Sequence, residues 1–361
     1  MPKMTSELNL IEMKKYLRQV IIEKTTLVPH ETTEVKIGKL TQVSHTSYKV
    51  YCFSLHYNYN NNSVNVELLL KLFEPIDFCR ERCRKEYQIL KYLKNALFPV
   101  PEAYVLETTE SYLKGPFIIM EKIKGENIAD YIKRQPKREI TTLIKRFSET
   151  LAMLHELNID DLVSDVLVIP KNEYSCAKKC TLAIDELKFA KNWDYHWITG
   201  WLKIHSKKSP CSQYSLLHHD VQPKHYIVDK KGKIFFIDWE LAQLGDALRD
   251  VSFAFHDLRN MVGAKVAFSF LKHYIAVSKK EIDHSKLRFY IVCTGLRQTL
   301  HIRYLTTRPG LLYLIKLFGA KQIAILPITY LRYILQRKRT EIFLRNEIIN
   351  HNKLFEIFDG L

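Results

Sequence analysis

Residues 217–228 read Leu217-His218-His219-Asp220-Val221-Gln222-Pro223-Lys224-His225-Tyr226-Ile227-Val228, and Ile237-Asp238-Trp239-Glu240 follows shortly after. Asp220 sits in a His-x-Asp tripeptide, and Asp238 ends the apolar run from Ile234 to Ile237, which reads as a strand. Tyr226-Ile227-Val228 reads as its partner strand and Lys230-Lys231-Gly232-Lys233 as the turn between them. The stretch is therefore a β-hairpin with an acidic group at each end. Two acids so placed suit phosphoryl transfer, in which one carboxylate orients the acceptor hydroxyl and takes its proton while the other holds the metal that neutralises the triphosphate. Taken alone, the same residues are also compatible with two unrelated acids beside a hairpin.

The segment resembles the catalytic and metal-binding strips of the aminoglycoside phosphotransferase and choline kinase-like family, relatives of the protein kinases. The resemblance runs on through Asp238-Trp239-Glu240, Gly245-Asp246 and Asp250, matching the family's Asp-Trp-Glu, Gly-Asp and helix-opening Asp in order and spacing. It implies Asp220 as the catalytic acid-base residue, Asp238 as a metal ligand, ATP as the donor and Mg²⁺ as the metal. Asp246 and Asp250 read as structural acids near a helix N-terminus, and His218 as a brace for the loop. There are two departures from the family's His-Gly-Asp, four residues, Asn pattern: His219 replaces the Gly and His225 replaces the Asn. Mg²⁺ prefers oxygen ligands whereas imidazole suits softer ions, so His225 as a metal ligand raises Mn²⁺ as the alternative metal. Kinases of the lipopolysaccharide core resemble this pattern with His at the same place, so the exchange is compatible with turnover.

Composition bounds the rest. A chain of 361 residues, 47% hydrophobic and 26% charged, can bury a sizeable core in two compact lobes. Seven cysteines give no disulfide framework. Cys79/Cys83 and Cys176/Cys180 are spaced as neighbours on a helix face, so they read as free thiols in a reducing cytoplasm. The N-terminus carries no apolar signal core, and no uninterrupted apolar run is long enough to span a bilayer.

Ahead of the opening stretch, apolar positions from Leu8 to Ile21 recur at helical spacing, and Val35–Ile37, Tyr48–Leu55 and Val64–Phe73 read as strands, with Asn60–Asn62 in a turn. Thr41–Ser47 contains no glycine and reads as a turn; it lies where relatives carry a phosphate-covering loop, which makes Ser44 and Ser47 candidate phosphate contacts. Lys71 is the sole charge after Glu67 in an apolar strand, and Glu86 follows on a helix whose Tyr87, Leu90 and Leu93 share one face. A buried-facing lysine needs a partner. The pair resembles the kinase lysine and helix glutamate that clamp the α- and β-phosphates, with Glu81 as the fallback partner. Phe117–Gly125 resembles the family's approach to the hinge, where main-chain groups of Glu121 and Ile123 would bond the adenine edge and Gly125 would open the second lobe.

Ile144–Leu157 reads as the long helix that precedes the catalytic loop, with His155 a packed structural histidine. Trp193, Trp197 and Trp201 recur every four residues in a helix expected from about Leu182 to Lys207; they serve as core packing or as a stacking platform for a sugar ring. From His284 to Thr340 there are eleven basic residues and no acidic one, so much of the formal net charge of +16 resides there. The segment reads as lobe-closing helices with a solvated basic face, or as a surface lying on anionic lipid at the inner face of the membrane. Nucleic acid ranks below these because no binding motif accompanies the charge, and aminoglycosides, being cations, favour acidic clefts.

The expectation is an α+β, two-lobed protein kinase-like fold, with a small antiparallel sheet in a nucleotide-binding lobe over 1–125 and a mainly helical catalytic and acceptor-binding lobe over 126–361. It would move the γ-phosphoryl group of ATP to a hydroxyl of a small molecule, a sugar or a lipid-linked glycan. A pseudokinase that binds nucleotide or partners without turnover, and a nucleic-acid-binding scaffold, are the other readings.

Overall fold

The computed structural model describes residues 10–45, 48–109, 113–162, 167–185, 195–305 and 337–345. In chain order these form α1 (Leu10–Lys24), β1 (Thr33–Ile37), β2 (Thr41–His45), β3 (Lys49–Tyr59), β4 (Asn62–Leu72), α2 (Asp77–Asn95), β5 (Ala103–Glu107), β6 (Phe117–Glu121), β7 (Gly125–Asn127) and α3 (Ile128–Arg134). They continue as α4 (Lys137–His155), α5 (Ser175–Asp185), α6 (His196–Ser206), β8 (Ser215–Leu217), β9 (Tyr226–Asp229), β10 (Ile234–Phe236), β11 (Gln243–Gly245), α7 (Leu248–Met261), α8 (Ala264–Val277) and α9 (His284–Leu305). Residues 337–345 are again helical. This is the expected α+β class. The elements group into two compact units, Met1–Arg134 with Lys224–Ala242, and Gln135–Pro223 with Gln243–Leu361.

In the first unit, an antiparallel sheet runs in the order β1-β3-β4-β6-β5, with β2 also paired to β3. β3 and β4 are joined through Asn60 and Asn61, both at positive φ (48° and 60°). A two-residue hairpin turn of the type that matches strand twist needs that conformation twice, and asparagine tolerates it. Alternate residues of β3 (Phe53, Leu55, Tyr57) and β4 (Leu68, Leu70, Leu72) enter one core with Met13, Leu17, Val20 and Ile21 of α1. Lys71 lies between two of these in the strand, so its side chain projects from the other face.

One expectation for this unit is corrected. The segment from Thr41 to His45 is a strand, pairing Thr41 with Cys52 and Gln42 with Tyr51. The reason lies in its partner: β1 covers only the far half of the edge of β3, from Leu55 to Asn58, and β2 takes the near half. The first compact unit runs through Arg134, and within it β7 pairs with β9, Gly125 opposite Asp229. A Cβ at Gly125 would meet the Val228 carbonyl oxygen at 2.4 Å, so only glycine permits this approach. The β9–β10 hairpin, with Tyr226 opposite Phe236, belongs to the first unit with it.

The second unit is mainly helical, with α4 packed on α8, and α7 on both α8 and α9. Phe147 and Phe270 stack at 5.6 Å between the first pair. A short antiparallel ladder of β8 and β11, Leu217 opposite Gln243, leads directly into His218. The helix expected over 182–207 is two helices: α5 ends at Asp185, and α6 begins at His196 after Tyr195 in a non-helical conformation. Trp193 lies outside the described residues. Trp201 stacks on His205 at 3.8 Å, with the Arg288 guanidinium 5.7 Å from its ring. All seven cysteines are free. No helix among the described residues is long and apolar enough to cross a membrane.

Candidate active site

α2 turns Cys83, Glu86, Ile89, Leu90 and Leu93 inward, spacings of three and four that make one buried helix face. Glu86 on that face meets Lys71, with Lys71 Nζ 2.7 Å from Glu86 Oε2 and both side chains almost wholly buried. The same ammonium lies 2.6 Å from Asp238 Oδ1 and 3.7 Å from Glu240 Oε2. Burial drives Lys71 toward neutrality, but Glu86 and Asp238 outweigh it and hold the ammonium well above its usual range. Burial pushes the Glu86 carboxyl up to about 7, against the pull of Lys71.

Asp238 is held from every side within the first unit. Its neighbour Trp239 is fully buried, edge-on to Phe98 at 6.1 Å, and donates its indole N–H to the Phe236 carbonyl. The Trp239 main-chain N–H points at Glu86 Oε1, 3.3 Å away. Asp238 itself takes a positive φ of 70°, the kind of sparsely populated backbone that persists where surrounding structure over-determines it. Its Oδ2 lies 3.4 Å from His225 Nε2, and the Tyr48 hydroxyl donates across both oxygens, at 2.8 and 3.0 Å. Burial raises the carboxyl, yet Lys71, His225 and the Tyr48 bond together hold it below the ordinary carboxylate range. Asp238 stays anionic while Glu86 titrates near neutrality, a separation set by which acid is partnered more fully.

Asp220 stands in the second unit, in the loop that follows β8. Asp250 anchors this loop: its carboxylate accepts the His218 N–H at 2.7 Å and the His219 N–H at 3.2 Å. Asp250, expected to accept orphan N–H groups at the start of its own helix, bonds the backbone of this loop. Asp246 does cap locally, accepting the Leu248 N–H. His218 is fully buried and accepts the Asp220 N–H through Nδ1. His155 braces the helices beneath, with Nδ1 2.8 Å from the Tyr274 hydroxyl and Nε2 3.7 Å from Asp250. Gln222 donates its amide N–H to Asp220 Oδ1 at 2.5 Å.

His219 takes φ 68°, the left-handed region that costs an L-residue about 1–2 kcal/mol. This explains why the related pattern carries glycine there. His219→Gly is expected to exceed His219→Ala in stability by about 1 kcal/mol, measured by urea unfolding of the two variants.

Among the other candidate residues, Ser47 and the side chain of Ser44 lie outside the described residues. Glu121 closes β6, its N–H already bonded to the Glu102 carbonyl at 2.8 Å, and Ile123 follows in the connection to β7. Tyr48 and Glu240 join the cluster without having been expected from the sequence. Glu240 carries a signal, being two residues past Asp238 in the quoted stretch; Tyr48 carries none, because no motif surrounds it. In the basic segment, Lys286 pairs with Asp246 at 3.0 Å and Arg337 with Glu341 at 3.5 Å. Arg308, Lys316, Lys321 and Arg332 lie outside the described residues.

The family model described as "phosphotransferase enzyme family" matches residues 58–290. Among solved structures, the chain is similar to a candidate aminoglycoside phosphotransferase from Ralstonia eutropha JMP134, at TM-score 0.63 and 14% identity, covering 91% of this chain and 95% of that one. It is similar to a thermostable mutant of aminoglycoside phosphotransferase APH(4)-Ia, at TM-score 0.59 and 15% identity, covering 93% and 99%. It is also similar to APH(2")-IIa in a ternary complex with streptomycin and ATP, at TM-score 0.53 and 16% identity, covering 86% and 95%. No curated protein sequence matches the chain.

Proposed function

Because the chain belongs to the phosphotransferase enzyme family and has its kinase-like fold, we propose that it transfers the γ-phosphoryl group of ATP to a hydroxyl of a small molecule, a sugar or a lipid-linked glycan. The observation that carries this reading is the buried cluster in which Lys71 bridges Glu86 and Asp238. A lysine so fixed presents its charge where a polyphosphate would bind, and burying three charged groups together is costly without such a task. Main-chain groups at Glu121 and Ile123 would take the adenine edge.

The donor set fits a divalent cation. Glu86, Asp238 and Glu240 bring carboxylate oxygens within 4.8 Å of one another, which suits Mg²⁺. His225 adds an imidazole nitrogen, which suits Mn²⁺ better. A metal held by Asp238, with His225 or Glu240, would neutralise charge on the β- and γ-phosphates. Asp220 orients the acceptor hydroxyl and accepts its proton. The acceptor oxygen forms a bond to the γ-phosphorus as the bridging bond to the β-phosphate breaks, and ADP leaves with that electron pair.

His225→Asn is expected to keep or improve turnover with Mg²⁺, since the amide restores an oxygen ligand. ADP release measured with Mg²⁺ and with Mn²⁺ checks this. A folded variant that loses turnover with both metals would remove His225 from the metal site.

A further inference from the structure

We propose that Tyr48 is a gate on the metal and phosphate site, competing with the metal–nucleotide for Asp238 and Lys71. Tyr48 precedes β3, whose first residue, Lys49, pairs with Leu72. That register sets the Tyr48 ring beside Phe73, centroids 5.7 Å apart. From there the ring lies over Lys71, with Nζ 4.1 Å from its centroid, and the hydroxyl reaches both oxygens of Asp238.

The competition follows from counting donors and acceptors. A lysine ammonium has three N–H groups. On Lys71, Glu86 and Asp238 take two of them at 2.7 and 2.6 Å, Glu240 Oε2 stands farther off at 3.7 Å, and the Tyr48 ring face covers a further approach. A phosphate arriving at Lys71 must displace one of these. The ring contact is the weakest, because a cation–π contact is worth less than a buried charge-assisted hydrogen bond. On Asp238, a hard cation needs at least one carboxylate oxygen, and the Tyr48 hydroxyl engages both. One movement of Tyr48 therefore uncovers a face of Lys71 and releases Asp238 Oδ2, the oxygen that Lys71 does not hold. Glu86 and Asp238 can keep Lys71 in place meanwhile. Tyr48 is half-buried, so its replacement does not open the core.

This inference rests on the reading of Asp238 as the metal-holding residue. The test is calorimetric titration of the wild type, Tyr48→Phe, Tyr48→Ala and Asp238→Ala with Mn²⁺·ATP, and with ATP in the presence of a chelator. Thermal unfolding confirms that each variant is folded. Tyr48→Phe should tighten Mn²⁺·ATP binding by about tenfold, the scale of one hydrogen bond to a charged group, and leave metal-free ATP unchanged. Tyr48→Ala should tighten both. If Asp238→Ala loses the metal dependence but Tyr48→Phe leaves Mn²⁺·ATP binding unchanged or weaker, the gate is wrong and the site stands. If Asp238→Ala keeps the metal dependence, the metal site and the gate fall together.

Discussion

Asp220→Asn is expected to lower phosphoryl transfer by about 10²–10⁴-fold, the range that a positioned proton acceptor contributes, while ATP affinity stays nearly unchanged. The loop that carries Asp220 is anchored independently of its carboxylate. Asp250 bonds the backbone of His218 and His219, and His218 Nδ1 accepts the Asp220 N–H. An isosteric amide leaves those bonds in place, so the loss should appear in the chemical step. Single-turnover rates at saturating ATP, with ATP affinity measured separately, distinguish this from a folding defect. A variant with near-normal turnover would remove Asp220 from the role.

Lys71→Met is expected to cost about 3–5 kcal/mol of stability, because it leaves Glu86 and Asp238 buried together without their shared cation, and to abolish tight ATP binding. The cost should depend on pH with a definite sign. Burial already raises the folded-state Glu86 carboxyl to about 7, above its unfolded value of about 4.3. The folded state therefore binds more protons than the unfolded state between these values, and this group's contribution to stability falls as pH rises through them. Removing the lysine strengthens the effect, so Lys71→Met should be less destabilised near about pH 5 than near about pH 8. Urea unfolding at both pH values measures this; an equal cost at both would mean Glu86 is not the group that responds.

Several parts of this site were legible in the chain, each for a local reason. The β9–β10 hairpin showed itself because a four-residue turn separates two apolar runs. Lys71 and Glu86 could be paired because a lone charge in an apolar strand needs a partner, and a helix with one apolar face follows it. Asp250 was legible as structural, but not the atoms it serves, since bonds to His218 and His219 span 32 and 31 residues. β2 was missed because its place depends on how much of the edge of β3 is left uncovered by β1. The grouping of 224–242 with the first unit depends on β7, far earlier in the chain, meeting β9. The tryptophan spacing suggested a single helix from Leu182 onward, whereas Tyr195 is non-helical ahead of α6. Tyr48 had no pattern to betray it: its contact with Asp238 spans 190 residues.

Phosphoryl transfer to an acceptor is the decisive measurement. Purified protein is incubated with ATP labelled in its γ-phosphate, Mg²⁺ or Mn²⁺, and fractionated cell metabolites and lipid extracts, beside the Asp220→Asn variant. Label is expected on a hydroxyl-bearing compound with the wild type and not with the variant. ATP that binds but yields no labelled product from any fraction, with either metal, would contradict that expectation.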